Sequence, residues 1–339
     1  MLLATLGFTG AGAQDLTAIL THGQTSKTYI GKSAFKEAYA DATHGDLITL
    51  SSGTFDAVTE FEKALTIRGA GMEEDTLYHT LPTIIYGDMT LNIPSTVTQN
   101  FHMEGIYHEY VLWYKAATNP EFVKCRLSGF AYDKWTEDGV TYYGTIDNAS
   151  FFHCKIVREL DCYANSTIRC INCYIRHPQV QNTETSYFNF INCVIYATES
   201  SSIWRLNSNS SGQIQNSTLT NCIIHGNYYY SDQTTNFTNC VLFGKTPDVT
   251  RNSYWNCNNL ANVFKSYTGS YSNTEKFELN GTAKNTYVDD NGREVGINGG
   301  AFPFTSRLAG PHIQEVMVAP RSTSDGKLNV KLHIETTNN

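Results

Sequence analysis

Apolar side chains recur along the middle of the chain in a fixed frame around cysteine. Seven segments carry the frame: Phe122-Val-Lys-Cys125-Arg-Leu127, Phe151-Phe-His-Cys154-Lys-Ile156, Cys170-Ile-Asn-Cys173-Tyr-Ile175, Phe190-Ile-Asn-Cys193-Val-Ile195, Leu219-Thr-Asn-Cys222-Ile-Ile224, Phe237-Thr-Asn-Cys240-Val-Leu242 and Tyr254-Trp-Asn-Cys257-Asn-Asn259. Three residues before each of these cysteines stands an apolar or aromatic side chain or another Cys. Asn comes just before it in five of the seven, and Ile or Leu two after it in six. A Cys followed by Ile two residues later has the period of a strand with one buried face. Asn ahead of the strand suits a sharp bend, because it tolerates the left-handed conformation. Repeated at one place in successive turns, it predicts a stacked asparagine ladder. The steps between the cysteines are 29, 19, 20, 29, 18 and 17 residues. That spacing fits one structural unit with loops inserted in places. Short strands at such a period, with few helix signals, predict an all-β protein built as a single-stranded parallel β-helix.

The flanks carry other patterns. Residues 33–42 place apolar side chains at 34, 35, 38, 39 and 42, with Ser33 as a cap and Gly45 beyond the end. This predicts an amphipathic helix covering the open end of the stack. Further strands are expected at 45–50 and 64–71, each ending in a turn, and at 83–86, 89–93 and 101–106. After about Tyr267 the spacing is lost. Tyr287 to Val295 reads as strand, acidic turn and strand. Ile313, Val316 and Val318, then Leu328, Val330, Leu332 and Ile334, form a final hairpin with one apolar face. At the other terminus, Leu2 to Phe8 is apolar and Ala11-Gly12-Ala13 has the form of a signal-peptidase site. A buried N-terminal strand is the competing reading of that stretch. The expected organisation is a signal peptide at 1–13, a cap at 14–45, the parallel β-helix at 46–266, and a C-terminal β region at 267–339 packing on it.

Composition narrows the function. The net charge is −8, so a basic face for nucleic acid is not expected. No apolar run approaches the roughly 20 residues of a membrane span. Aromatic residues make up 12% of the chain, which excludes a disordered one. The nine cysteines read as buried small hydrophobes, because a single inward column offers no pairing scheme. The Cys170-x-x-Cys173 spacing stands alone, without the further ligands of a zinc site.

Residues 33–71 read as a helix, then Gly45-Asp-Leu-Ile-Thr-Leu50, Gly53-Thr-Phe55 and Leu65-Thr-Ile-Arg-Gly-Ala-Gly71. This opening resembles that of the pectate-lyase-like right-handed parallel β-helix proteins, and the Asn-Cys-x-Ile repeats are similar to those of the same superfamily. Within it, the chain most resembles a group of secreted proteins of gut Bacteroidetes that have no assigned activity. The start from Leu20-Thr-His-Gly23 to Gly31, the late Val295-Gly-Ile-Asn-Gly-Gly300 and the subsequent Pro303-Phe304 carry that likeness. The resemblance covers most of residues 15–339. It implies a right-handed helix and a secreted, periplasmic or surface location, and it implies no particular activity.

Chemistry is expected on outward positions and in loops. One and three residues after the cysteines, the early repeats offer Arg126, Lys155 and Arg176, and the later ones Val194, Tyr196, Ile223, Val241 and Phe243. The apolar stretch predicts a cover, supplied by the C-terminal hairpin or, alternatively, by self-association. Neither outward set contains Asp or Glu, which disfavours a glycoside hydrolase and its two carboxylates. Glu159 and Asp161 are expected just past a strand.

A polysaccharide lyase acting by β-elimination on a uronate glycan needs a base and positive charge near an enolate. Lys155, Arg158, Arg176 and His177 are the candidates for that work, with ordinary solvated charges as the alternative. Carbohydrate binding without chemistry is the reading preferred here, with Trp135, Tyr142, Trp204, Arg205, Tyr228 and Tyr229 as aromatic and polar contacts in loops. A surface-structural or protein-binding role is the third reading. No cofactor is expected. Calcium at Asp289 and Asp290 competes with plain turn chemistry.

Overall fold

A computed structural model of the chain describes residues 16–77, 80–114, 117–163, 165–181, 186–196, 217–225, 235–243, 253–308, 310–318 and 330–337. The expected signal peptide lies outside them. The protein is all-β with two long sheets. In hydrogen-bonded order, the first contains Thr25–Ile30, Thr17–His22, Leu47–Leu50, Thr66–Arg68, His102–Glu104, Glu121–Val123, Ala149–Phe152, Thr167–Ile171, Tyr187–Ile191, Thr218–Thr220 and Asn236–Thr238. The main path of the second contains Gly53–Asp56, Thr83–Tyr86, Ile106–Trp113, Arg126–Tyr132, Lys155–Tyr163, Tyr174–Arg176, Val194–Tyr196, Ile223–His225, Cys240–Phe243 and Tyr254–Cys257. The chain alternates between the sheets from Leu47 to Phe243, each turn giving strands to both that pair in parallel with those of the turn before. Tyr254–Cys257 of the last repeat, by contrast, pairs with Cys240–Phe243 in the second sheet and adds none to the first. At the N-terminal end, Thr17–His22 pairs antiparallel with both neighbours, and the helix Ala34–Asp41 packs Ala34, Phe35 and Ala38 inward. Ser33 does not cap the helix backbone; its hydroxyl donates to Glu37 at 2.8 Å.

The repeat pattern becomes columns. Phe122, Phe151, Cys170, Phe190, Leu219 and Phe237 are register partners along the first sheet. Leu127, Ile156, Ile175, Ile195, Ile224 and Leu242 are partners along the second. All are buried. The rings of Phe122 and Phe151 stack at 5.0 Å. Between the columns lie Cys125, Cys154, Cys173, Cys193, Cys222 and Cys240, and all nine cysteines of the chain are free and buried. The Cys125 amide donates to the Cys154 sulfur at 3.4 Å, and the Cys154 amide to the Cys173 sulfur at 3.3 Å. Burial pushes the Cys154, Cys162 and Cys170 thiols well above their ordinary value, so they are packing groups rather than nucleophiles.

The residue before each of six cysteines bends the chain from one sheet to the other. Lys124, His153, Asn172, Asn192, Asn221 and Asn239 all have φ between 49° and 55°, the left-handed conformation that asparagine tolerates. The expected asparagine ladder is not what their side chains make. They face the stretch 290–308, which runs back along the column as a strap. Asn239 Nδ2 donates to Asp290 at 3.1 Å, and Asn172 Nδ2 to the carbonyls of Ile297 and Gly299 at 2.8 and 2.9 Å. The Gly296 amide donates to Asn221 O at 2.7 Å. His153 Nε2 bonds Phe302 O at 3.0 Å, and Lys124 Nζ donates to Arg307 O at 2.6 Å. Gly300, at φ +78°, passes so close to Asn192 that a Cβ there would lie 2.1 Å from Nδ2. Only glycine fits.

Candidate functional site

On the outer side of the second sheet, Tyr107, Arg126, Lys155, Tyr174, Val194, Ile223 and Val241 form one register row. From Tyr174 onward this row is buried beneath Val263, Phe264, Tyr267, Phe277, Leu279, Val295 and Ile297. The Tyr174 ring stacks on Tyr271 at 5.2 Å and on Phe277 at 4.7 Å, and burial pushes its hydroxyl up to about 12. The expected cover therefore exists, and among the described side chains its apolar residues come from 263–297; those of the hairpin lie outside them. The terminal strands Gly310–Val318 and Val330–Thr337 form an antiparallel pair with each other. Regular alternation points to that hairpin; the covering residues are irregularly spaced and carry no period to read.

The expected lyase residues do not share an open surface. Lys155 is 2% exposed, and its ammonium donates to both oxygens of Glu73 at 2.7 and 3.0 Å. Burial lowers its pKa, while Glu73 opposes that shift. His177 is buried, and burial, then the neighbouring Arg176 charge, pushes it down to about 4. Arg176 Nε donates to His177 Nε2 at 3.2 Å. Arg158 alone is exposed, with its guanidinium 6.0 Å from the Tyr110 ring centre. Glu73 carries no signal in the sequence, because it lies 82 residues before its partner.

Beyond this row the sheet turns a corner. Ile106 and His108 face inward, then Val111 and Trp113, so the alternation slips across residues 109–110. The neighbouring strand slips further: Leu127 pairs with Ile156 but Gly129 with Glu159, which leaves one extra residue in Lys155–Tyr163. That bulge, at Val157 and Arg158, re-aims the rest of the strand. Glu159 and Asp161 are therefore inside the strand, on either side of the inward Leu160. They point to the same side of the strand, Glu159 half-buried and Asp161 buried at 9% exposure. The Tyr110 hydroxyl donates to Glu159 at 2.7 Å. Gly129 makes room for that ring, since a Cβ there would lie 2.3 Å from it.

Past the corner the surface is aromatic. The hairpin strands Lys134–Glu137 and Val140–Tyr143 pair Trp135 with Tyr142, and their rings stack at 5.4 Å. Tyr114 lies 4.6 Å from Trp135. Tyr143 stacks on Tyr163 at 4.0 Å, and Tyr132 lies within 5.8 Å of both. Burial, then the Asp161 charge, pushes Tyr132 up to about 12. Tyr142 remains 43% exposed. Two of the six expected binding residues, Trp135 and Tyr142, thus meet with Tyr114 on one face of the hairpin, while Tyr143, on the other face, meets Tyr132 and Tyr163. Trp204, Arg205, Tyr228 and Tyr229 lie outside the described residues.

Asp289 Oδ1 accepts the amides of Asn291 and Arg293, closing its turn, while Asp290 accepts Asn239 of the bend column. Among the described residues no group of three or more His, Cys, Asp or Glu is placed to hold a metal ion. No helix among them is long and apolar enough to cross a membrane. The chain matches no protein-family model, no curated protein and no solved structure.

Proposed function

We propose that the chain winds as a right-handed single-stranded parallel β-helix, works outside the cell, and binds a carbohydrate on the aromatic patch beyond the sheet corner. The observation that carries this reading is the exposed stack of Trp135 on Tyr142 with Tyr114 against it. Sugar rings offer apolar C–H faces and polar rims, and this stack offers ring faces on a hairpin whose neighbouring positions Lys134, Thr136, Glu137 and Thr141 are exposed. The alternation of the chain between two parallel sheets, with inward columns in register, supports the winding. Burial of Lys155 in an ion pair speaks against its use as a lyase base.

Affinity electrophoresis of the full chain through gels of neutral and acidic polysaccharides tests the proposal. One polymer should retard the protein, and Trp135→Ala and Tyr142→Ala should remove the retardation. Uniform migration through the panel would sink the reading. A second reading, hydrolysis of the bound glycan, is favoured by one observation: the bulge puts Glu159 and the buried Asp161 on the same side of one strand, and such chemistry uses a carboxyl pair. Release of reducing ends that is lost in Glu159→Gln, with retardation kept, would establish it.

A further inference from the structure

Arg126 sits at the rim of the covered zone in an unusual state. Its guanidinium carbon lies 4.4 Å from the Tyr107 ring centre and 5.5 Å from that of Tyr271. Its Nε is buried and has no hydrogen-bond partner. Among the described residues no carboxylate forms an ion pair with it. Arg68 and Arg307, by contrast, each pair with a carboxylate, Glu104 and Asp75 respectively. The register places Arg126 directly beside Lys155. The carboxylate that could serve both cations, Glu73, is already committed, with both oxygens on Lys155 and a 3.4 Å bond from the Tyr271 hydroxyl. Glu275, whose charge also reaches Lys155, accepts the Ser266 hydroxyl and the Phe277 amide, so neither acid pairs with Arg126.

We propose that Arg126 is the anchor of a binding site for an oxyanion group, a carboxylate, sulfate or phosphate carried by a ligand. The chemistry is that of a guanidinium held over aromatic faces. Its central carbon lies over two tyrosine rings, and its nitrogens, which recognise flat or tetrahedral oxyanions in pairs, have no hydrogen-bond partner among the described residues. Lys155 adds attraction without competing, since its own protons point to Glu73. The half-buried position strengthens the contact relative to one in open water. The site lies on the near side of the sheet corner, apart from the Trp135 and Tyr142 stack, and it stands whether or not that stack binds sugar.

The test is a ¹⁵N NMR titration of the arginine Nε–Hε signals of the full chain, at constant ionic strength. The probes are acetate, sulfate and inorganic phosphate. Arg126→Gln assigns the signal, and Arg126→Lys does so if the first variant fails to fold. A saturable shift of the Arg126 signal with acetate supports the site and gives it a carboxylate ligand. The same response to sulfate or phosphate alone supports it and gives it a tetrahedral one. A flat Arg126 signal with all three probes overturns the proposal. So does a non-saturating drift shared by every arginine, which is what an ordinary solvated side chain would show.

Discussion

Tyr174 is completely buried, stacked on Tyr271 and Phe277, whereas Tyr142, on the hairpin that extends from a strand two places away, keeps 43% of its surface. Neither belongs to the main core: Tyr174 is part of the second sheet and the apolar cluster outside it, and Tyr142 of a separate two-stranded hairpin. In the covered zone, aromatic and apolar residues meet others from 263–297 and form a second core. In the open zone, beyond the corner at Tyr110 and Glu159, rings stack on one another and end at the surface. The same residue types stabilise the fold in one place and present a surface in the other. What separates them is whether the returning chain reaches them. The strap tracks the bend column from Asn239 to Lys124, which borders the covered zone and stays away from the hairpin.

The largest effect is expected where the cover is pinned by charge. Glu73→Gln leaves the Lys155 ammonium buried with no anion, which should cost about 3–5 kcal/mol. The double change Glu73→Leu with Lys155→Met removes both charges and should recover most of that loss. Urea unfolding of the two variants measures the difference. A single change that costs nothing would mean that the ion pair does not hold the cover down.

Next comes the strap. Asn172 is 1% exposed and donates twice to strap carbonyls. Asn172→Ala also removes an asparagine from a left-handed bend, and a loss of about 1–3 kcal/mol is expected. Asn236→Ala, on an exposed position of the first sheet, is the control and should stay within about 0.5 kcal/mol.

The strap should also respond to acid. His153 is 3% exposed, with Nε2 on Phe302 O and Nδ1 accepting the Thr305 amide at 3.4 Å. Those partners require the neutral ring. Burial lowers its pKa, the strap hydrogen bond to Phe302 acts against that shift, and the Lys124 charge adds to it. The unfolded chain then takes up a proton near its ordinary value that the folded chain refuses. Stability is therefore full above about pH 6.5 and falls as the pH drops toward the depressed folded value. His177, pushed down to about 4, acts in the same direction. A His153→Gln variant should unfold with a shallower dependence between about pH 6.5 and 4, read by thermal melts across that range. An unchanged slope would remove His153 from the account.

Much of this is legible in the sequence, for a physical reason. A strand that buries one face must repeat its apolar residues with period 2, so the inward columns of Phe, Cys and Ile can be read from spacing, as can the packed thiols. The positive φ before four of the cysteines is signalled by asparagine, whereas Lys124 and His153 adopt it with no such signal. What lies hidden depends on contacts that have no period. The bulge at Val157 and Arg158 is one extra residue, invisible in a single strand, and it puts Glu159 and Asp161 on one side of the strand rather than past its edge. Lys155 looks outward and basic because its partner Glu73 is far away in sequence. The asparagine side chains are expected to stack on each other, since nothing local shows that a strap takes their hydrogen bonds. Trp135 and Tyr142 are legible because a hairpin brings near neighbours together.

The smallest stability effect is expected at that hairpin, and it tests the open half of the comparison directly. Trp135 touches Tyr114 and Tyr142, so Trp135→Ala should cost about 1 kcal/mol, the size of one or two aromatic contacts. If the patch exists to hold a ligand, the same change should abolish retardation by a polysaccharide that the parent chain recognises. If the patch is instead a satellite core, the order reverses, with a stability loss of about 3 kcal/mol or more and an unaltered mobility. Because the two outcomes differ in both measurements, one variant assayed by urea unfolding and by gel retardation decides whether the open rings serve the fold or a ligand.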